Sequence, residues 1–327
     1  PLMRYRLLGR SGLRVAELCL GTMTFGTEWG TGADEAASRA IFDAYAEAGG
    51  NFIDTANYYT AGTSERMVGE FVKAGRERFV IATKYTLGMR EGDPNAGGNH
   101  RKNLVQALEA SLRRLKMDYV DLLWVHAWDF TIAPEEAMRA LDDAVRAGKV
   151  LHIGISDTPA WIVSAAHTLA QLRGWSPFTA LQVEYSLVQR TTERELLPMA
   201  AALGLAVTPW SPLGAGVLSG KYLQGTPNDK AQARLAEGSA RLTGRNLAIA
   251  RAVADVAASL GATSPQVALA WLRQAAPACI PILGARKKEQ LLDNLGCLKV
   301  VLPPEAMAQL NEASAIDMGF PHEMLAS

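Results

Sequence analysis

The sequence predicts an α/β fold, a (β/α)8 barrel of the TIM type, and three observations lead to that prediction. Eight short apolar runs recur along the 327 residues. Longer segments, several with the periodicity of amphipathic helices, separate them. Strands that alternate with helices form a parallel sheet, and eight such units suit the length of one barrel. We therefore expect a single barrel domain over residues 1–327.

The eight predicted strands and their helices follow one another in order. The strands are 15–21, 51–56, 79–84, 119–126, 150–156, 180–186, 205–211 and 279–284. Between the third and the fourth strand, residues 101–117 carry leucines at helical spacing, which predicts a helix. Four residues stand where helix caps or first-turn residues belong: Asp34, Ser64, Pro134 and Ser264.

Two parts of the chain lie outside this alternation. Residues 3–15 predict two short strands around a glycine-containing turn, an N-terminal β-hairpin that covers one mouth of the barrel. Residues 213–276 form a long insert between the seventh and eighth strands. It is glycine-rich at first, polar over 226–234, and patterned as helix towards its end. Long inserts of this kind are usually functional or mobile.

Composition excludes several classes of function. Lys plus Arg number 33 and Asp plus Glu number 33, so no basic field is available to bind nucleic acid. No apolar segment is long enough to cross a membrane, and the first residues lack the apolar core of a signal peptide. Three widely spaced cysteines predict neither a disulfide framework nor a metal site. We expect a cytoplasmic protein with a small-molecule partner; the sequence leaves its oligomeric state open.

Polar residues and glycines end most of the predicted strands, where barrel active sites lie. These strand-end residues are Gly21, Asp54, Lys84, His126, Ser156, Gln182, Trp210 and Gly284. Alone, Asp54 is explained as a turn cap, Lys84 as a surface lysine and His126 as a core histidine. Because the three end successive strands, a shared site at one mouth is the better explanation.

The stretch FIDTANYY adds two tyrosines to this group. A tyrosine hydroxyl has a pKa of about 10, and a nearby lysine ammonium lowers it by favouring the phenolate. Asp54 is placed to pair with Lys84, and His126 to hydrogen-bond the same substrate oxygen. Such a group suits proton transfer to a carbonyl oxygen, while hydride has to come from a nicotinamide cofactor. Local reasoning does not choose between Tyr58 and Tyr59.

Taken in order, these motifs resemble the aldo-keto reductases over nearly the whole chain. The matching pieces are LGRSGLRVAELCLGTMTFG, DTANYY, ATK, DLLWVH, GIS, QVEYS, WSPLGAGVLSGKY and IPILGARKKEQLLDN. The resemblance implies NADPH-dependent reduction of an aldehyde or ketone to an alcohol. It implies a catalytic tetrad of Asp54, Tyr59, Lys84 and His126, because the family's acid tyrosine follows its aspartate by five residues. Tyr59 then donates the proton, Lys84 tunes it and His126 orients the substrate.

The resemblance also implies that NADP(H) binds over the same mouth. The implied contacts of its nicotinamide half are Gly21, Thr22, Met23, Asp54, Ser156, Gln182 and Trp210. Ser156 and Gln182 hold the carboxamide in this scheme, and Trp210 stacks on the ring. The implied contacts of the pyrophosphate and adenosine are Ser211, Leu213, Gly216, Lys221, Gly284, Arg286, Gln290 and Asn294.

A basic trio, Arg286, Lys287 and Lys288, bears on the choice between NADPH and NADH. A guanidinium binds phosphate through two hydrogen bonds, and a helix N-terminus favours anions, so the trio suits a 2′-phosphate. The alternative is that these three residues form only the solvated start of a helix.

Some positions depart from the family pattern. Thr60 follows Tyr59 where the family commonly has glycine, so the adjacent loop is expected to differ in shape. Asp157 stands where asparagine is frequent, and a carboxylate cannot donate a hydrogen bond as an amide does. Trp128 and Asp129 are expected to shape the substrate pocket, together with the loops 94–99, 213–240 and 317–327.

Two other functions are consistent with parts of the sequence. Potassium-channel β subunits resemble the same family, bind the cofactor and act mainly as partners, although an intact tetrad argues against a purely regulatory role. A barrel aldolase would use Lys84 as a Schiff-base amine, but that reading leaves the ordered cofactor motifs unexplained.

Overall fold

The computed structural model describes residues 3–225, 235–236, 238–275 and 279–326, and it confirms the predicted (β/α)8 barrel. Its strands are β1 Tyr5–Leu7, β2 Arg14–Ala16, β3 Cys19–Gly21, β4 Phe52–Asp54, β5 Val80–Tyr85, β6 Val120–Val125, β7 Val150–Ser156, β8 Phe178–Glu184, β9 Ala206–Trp210 and β10 Ile282–Leu283. The last eight form one parallel sheet in the order β10-β3-β4-β5-β6-β7-β8-β9. A bridge between Val207 and Cys279 brings the two edges of the sheet together.

The helices are α1 Glu35–Glu47, α2 Thr63–Val72, α3 Arg101–Leu115, α4 Pro134–Arg146, α5 Ala160–Arg173, α6 Leu196–Leu203, α7 Gly244–Leu260, α8 Ser264–Ala275, α9 Lys288–Leu295, α10 Pro304–Ala313 and α11 His322–Ala326. The helix predicted over 101–117 ends two residues early, because Lys116 takes a left-handed backbone conformation. Asp34 caps α1 by accepting from the Ala37 N–H at 2.8 Å. The other three predicted residues lie in first turns, as expected.

The predicted hairpin is present and closes the N-terminal mouth of the barrel. Strands β1 and β2 pair antiparallel, and Leu8 and Val15 are fully buried in the same cluster as Cys19 and Phe52. A Cβ atom at Gly9 would collide with the carbonyl oxygens of Thr179 in β8 and of Gly204 just before β9, so the hairpin packs closely on both strands. These contacts leave the opposite mouth, at the C-terminal ends of the strands, as the open one.

The barrel interior is filled by every second side chain along the strands. Val80 and Ala82 of β5 and Leu122 and Trp124 of β6 all belong to the buried interior cluster. Trp124 fits because its neighbour on β7 is Gly154, where any Cβ atom would meet the indole ring. Continuing the alternation by one step places Lys84 and His126 in the top inward-facing layer.

The insert between β9 and β10 contains the helices α7 and α8, as its periodicity predicts. Its polar stretch, 226–234, lies outside the described residues. Across the described ranges, no helix alone has the length and apolar character to cross a membrane; only the α7–α8 pair, bent by 97°, reaches that combination of length and composition.

Candidate active site

The inward alternation brings the predicted strand-end residues to one mouth of the barrel. Asp54 pairs in register with Gly21, and Ser156 with Gln182. Gln182 Nε2 donates to Asp54 Oδ1 at 3.1 Å across the barrel, which joins residues 128 positions apart in the chain. A predicted cofactor contact and a predicted catalytic carboxylate are therefore in direct contact.

Lys84 lies at the centre of this mouth with its side chain buried. Its Nζ donates to the Asp54 carboxylate, to the carbonyl of Thr55 at 2.9 Å and to the hydroxyl oxygen of Tyr59 at 3.1 Å. An ammonium has three hydrogens, so these three acceptors use all of its donors. The Tyr59 oxygen is thus an acceptor here, and its own O–H is left to donate elsewhere.

The structure separates the two adjacent tyrosines. Tyr59 is half-buried and contacts Lys84, whereas Tyr58 is 43% exposed and turns outward. Thr60, next in the chain, has a left-handed backbone with φ 45°, which is rare for a β-branched residue. Its hydroxyl donates to the Phe25 carbonyl at 2.7 Å and accepts from the Ser64 N–H at 3.1 Å. These bonds hold the conformation that a family glycine would adopt freely.

The pKa of Tyr59 differs from the expectation of a lowered value. Burial raises it, and although the Lys84 ammonium acts in the opposite direction, the net shift is upward. For Lys84 itself, burial lowers the pKa, but Asp54 and Tyr59 together outweigh burial and raise it. Both upward shifts favour a charged lysine beside a protonated tyrosine.

His126 faces Tyr59 edge-on, with ring centroids 5.9 Å apart. Burial and the nearby Lys84 charge lower its pKa to about 3, so its imidazole is neutral at ordinary pH. Its Nδ1 atom is buried without a hydrogen-bond partner in the described part of the chain. A neutral imidazole retains one donor and one acceptor nitrogen, which suits the binding of a carbonyl or alcohol oxygen.

Left-handed backbone at residues other than glycine concentrates around this mouth. Among the described residues, seven of eight such positions lie in loops that follow the barrel strands: Thr60, Ala61, Thr86, Phe130, Asp157, Ser211 and Ala215. Conformations of this kind cost about 1–3 kcal/mol each and cluster at functional sites. The strain marks the same rim as the side-chain chemistry.

The implied nicotinamide contacts lie together, and one of them has no partner of its own. The Ser156 hydroxyl is fully buried without a hydrogen-bond partner among the described residues, which suits a group awaiting a ligand. Trp210 is half-exposed, and its indole N–H donates to Asp157 at 3.0 Å. Met23 is exposed at the rim. Thr22 is instead buried, with its hydroxyl already bonded to Asp54 and Ser64.

The three glycines among the implied cofactor contacts differ in how much space surrounds them. A Cβ at Gly21 would lie 2.6 Å from Ile282, so close packing of β3 on β10 requires glycine there. At Gly216 a Cβ would lie 3.1 Å from Lys221 Nζ, which places that ammonium directly over the bare backbone. Gly284 is exposed with open space around it. Of these positions, Gly284 leaves its backbone open to close approach, whereas Gly216 is covered by the Lys221 side chain.

The remaining implied contacts occupy the loops after β9 and β10. Leu213 and Ser211 accept backbone hydrogen bonds within the first of these loops, from Gly216 and Ala215 respectively. Arg286 is half-buried, and its backbone N–H donates to Gln290 at 2.9 Å. The basic trio and Gln290 stand at the start of α9; Asn294 is buried farther along that helix.

A cleft of about 510 Å³ opens between the loops that follow β5 and β6. Its walls include parts of the predicted pocket, and they are Thr86, Leu87, Gly88, Pro94, Asn95, Gly97, Gly98, His100, Ala127, Trp128, Asp129 and Thr131. Thr86 and Ala127 place the cleft one or two residues beyond the catalytic candidates. A second cleft, about 400 Å³, lies near Lys116 and Lys149 at the other end of the barrel, far from this chemistry.

Sequence reasoning missed Trp29, in the loop between β3 and α1. Its ring lies 5.8 Å from the Tyr58 ring and meets Tyr59 edge-on at 6.4 Å. With 42% of its surface exposed, it forms an aromatic wall beside the candidate acid. The available signal was a lone tryptophan in the glycine-rich stretch TEWGTG, which a buried-core role does not explain.

Comparison with known proteins identifies the family to which this chain belongs. Residues 17–315 match the sequence profile of the Aldo/keto reductase family. Norsolorinic acid reductase from Aspergillus flavus is 38% identical over 98% of this chain and 84% of its own length. An NADP(+) aryl-alcohol dehydrogenase from Phanerodontia chrysosporium is 38% identical over 95% and 86%, and a putative aryl-alcohol dehydrogenase from Saccharomyces cerevisiae is 36% identical over 98% and 89%. The chain therefore belongs to the aldo/keto reductase family, whose members are oxidoreductases acting on carbonyl compounds.

Proposed function

We propose that the enzyme uses NADPH to reduce an aromatic aldehyde or ketone to the alcohol, with Tyr59 as the proton donor. One observation carries the proposal: Lys84 Nζ donates all three of its hydrogens, to Asp54, to Thr55 and to the Tyr59 oxygen. The Tyr59 proton therefore points away from Lys84, towards a substrate in the open mouth. As negative charge develops on Tyr59, the lysine ammonium stabilises it.

The other tetrad members have supporting roles in this scheme. Asp54 holds the Lys84 ammonium and is itself fixed by Gln182. His126, neutral and edge-on to Tyr59, hydrogen-bonds the substrate oxygen and so sets its position for proton transfer. The carbonyl oxygen gains the Tyr59 proton, and the phenolate is later reprotonated from solvent.

The chemistry that NADPH supplies when bound is hydride. Ser156, Gln182 and Trp210 would hold its nicotinamide, supported by the unpartnered Ser156 hydroxyl. Gly216 and Lys221 would receive the pyrophosphate, since a bare backbone beside an ammonium suits phosphate oxygens. Arg286 at the start of α9 would bind the 2′-phosphate. The name of the Phanerodontia relative, which includes NADP(+), agrees with this choice.

An aromatic substrate is supported by the wall beside Tyr59 and by the relatives. Trp29 and Tyr58 present exposed rings next to the acid, and rings pack favourably on rings. Two of the relatives are named for aryl alcohols.

The test compares Tyr59→Phe with the matched control Tyr58→Phe, following NADPH oxidation with a panel of aromatic aldehydes. Loss of a general acid lowers turnover by about 10²–10⁴-fold. We expect that loss for Tyr59→Phe with NADPH binding retained, and near wild-type turnover for the control. Wild-type turnover by Tyr59→Phe, or equal losses in both variants, contradicts the assignment.

Cofactor choice is tested separately with Arg286→Ala. Removing a charge-assisted bond to the 2′-phosphate weakens binding by about 1.5–3 kcal/mol, roughly 10–150-fold. We expect that loss for NADPH and no comparable change for NADH, measured by fluorescence titration. Equal weakening of both cofactors would place Arg286 away from the 2′-phosphate.

A further inference from the structure

Asp157 is held between the ends of three neighbouring strands. It follows Ser156 at the end of β7 with a left-handed backbone, φ 41°. Its N–H donates to the Gln182 carbonyl of β8 at 3.2 Å, and its Oδ1 accepts from Trp210 Nε1 at the end of β9 at 3.0 Å. These three strands carry Ser156, Gln182 and Trp210, the residues assigned to the nicotinamide. The carboxylate therefore has a fixed position beside that subsite.

Among the described residues Asp157 forms no ion pair, and the Lys84 ammonium, which lowers its pKa, acts on it only from beyond ion-pair distance. Within the described ranges, the Lys84 ammonium pairs with Asp54, and the nearby Glu184 carboxylate pairs with Arg241 at 2.5 Å, but none of these residues forms an ion pair with Asp157. Its single side-chain partner there is the neutral indole of Trp210. Burial raises the pKa of Asp157, and its charge in turn raises the pKa of Tyr59. The field of this carboxylate thus reaches the reacting centre.

We propose that Asp157 makes the enzyme bind NADP⁺ in preference to NADPH, because only the oxidised nicotinamide ring carries a positive charge. An amide in the same place would accept the Trp210 hydrogen bond equally well but would carry no charge. The inference rests on the proposed cofactor function and adds to it a residue that sets the balance between the two redox states.

The preference for NADP⁺ over NADPH also favours one direction of the reaction on the enzyme. A bound NADPH would supply hydride to the carbonyl carbon and its ring would gain a positive charge, while the Tyr59 proton goes to the carbonyl oxygen. A fixed carboxylate beside the ring stabilises that developing charge without reorganisation. On the enzyme, Asp157 therefore favours carbonyl reduction, and it slows the release of NADP⁺ afterwards.

The test measures dissociation constants for NADP⁺ and NADPH by quenching of tryptophan fluorescence, at mildly alkaline pH so that carboxyl groups are ionised. Loss of one charge near a cation in a partly buried site changes affinity about tenfold. We expect Asp157→Asn to weaken NADP⁺ binding by that factor and NADPH binding less than about twofold. Asp157→Ser, a second neutral variant, is measured alongside it. The test then still gives a result if one of the two variants fails to fold.

Glu184→Gln is the matched control, because it removes a carboxylate that Arg241 already compensates. We expect the NADP⁺ to NADPH ratio of this variant to stay near the wild-type value. Equal changes for both cofactors in the Asp157 variants, or an equal shift of the ratio in Glu184→Gln, overturn the inference while leaving the reductase proposal intact. Failure of the wild-type protein to bind either cofactor overturns both.

Discussion

Lys84 Nζ lies 3.1 Å from the Tyr59 oxygen and makes its ion pair with Asp54 in the same buried position. The lysine is thus shared between the candidate acid and the carboxylate that compensates its charge. Removing one member of a buried pair leaves the other charge without compensation, whereas removing both is often tolerated. Activity and stability are therefore coupled through one ammonium group.

That coupling predicts the behaviour of a pair of variants. Lys84→Met is expected to lower the free energy of unfolding by about 3–5 kcal/mol, since Asp54 is left buried and unpaired. Asp54→Asn combined with Lys84→Met is expected to recover part of that loss, while turnover stays low in both. Chemical denaturation gives the two values. A double variant that is less stable than Lys84→Met would show that the ion pair is not the source of the loss.

His126 predicts a pH dependence of stability. Its pKa falls from 6.5 to about 3 on folding, so the unfolded chain binds more protons between those values and stability is lost as pH falls through that window. The loss approaches about 1.4 kcal/mol per pH unit for a group that titrates only in the unfolded state. We expect wild-type stability to decline more steeply below pH 6.5 than that of His126→Gln.

The comparison with His126→Gln is necessary because burial also lowers the pKa of His152 and His167. The wild type and His126→Gln both retain those two histidines. The difference between their slopes of stability against pH therefore reports on His126 alone. Parallel stability curves would mean that its imidazole protonates in the folded protein.

Trp29 predicts substrate selectivity. Its ring contacts Tyr58 and Tyr59 at the mouth, and an aromatic contact contributes about 0.5–1.5 kcal/mol. Trp29→Ala is expected to lower kcat/KM for an aromatic aldehyde about threefold to tenfold and to affect a short aliphatic aldehyde less. Leu172→Ala, at an exposed position of α5 on the far side of the barrel, serves as the control. A uniform loss for both aldehydes would assign Trp29 to loop structure rather than to substrate contact.

Gly154 predicts a purely structural defect. A Cβ there would overlap the Trp124 ring inside the packed barrel, and overpacking costs about 1–3 kcal/mol. Gly154→Ala is expected to lower the thermal midpoint accordingly. Gly244→Ala, at the open first position of α7, has no neighbour within 4 Å and should have little effect. Equal midpoints in the two variants would mean that the Trp124 ring moves aside without cost.

The polar residues at the strand ends could be predicted, because an apolar run and the residue that ends it are local features of the sequence. Asp54, Lys84 and His126 were identified because each stands at or near the end of an apolar run, and the barrel brings them together. The Gln182–Asp54 contact was not predictable, since it joins opposite sides of the barrel. The pKa of Tyr59 was expected to fall, but burial, a tertiary property, outweighs Lys84 and raises it.

Loop geometry was the least predictable part. The absence of a glycine after Tyr59 pointed to an altered loop, yet Thr60 keeps left-handed backbone through bonds to Phe25 and Ser64. The loop that carries Trp29 is tied to distant segments, with Thr24 donating to the Ala285 carbonyl at 2.7 Å and Phe25 accepting from Thr60. Such contacts link distant segments and leave no periodic signal.

The hairpin closes one mouth with Leu8 and Val15, so the two ends of the barrel differ in how tightly their side chains are packed. Side chains at the plugged end are interlocked, so change there has to be compensated by neighbouring residues. Loops at the open rim, such as 94–98 and 127–131, are anchored at the strand ends and can diverge independently of that end. Exchanging rim loops between relatives is thus a route to new catalysts that leaves the barrel and its plugged end unchanged.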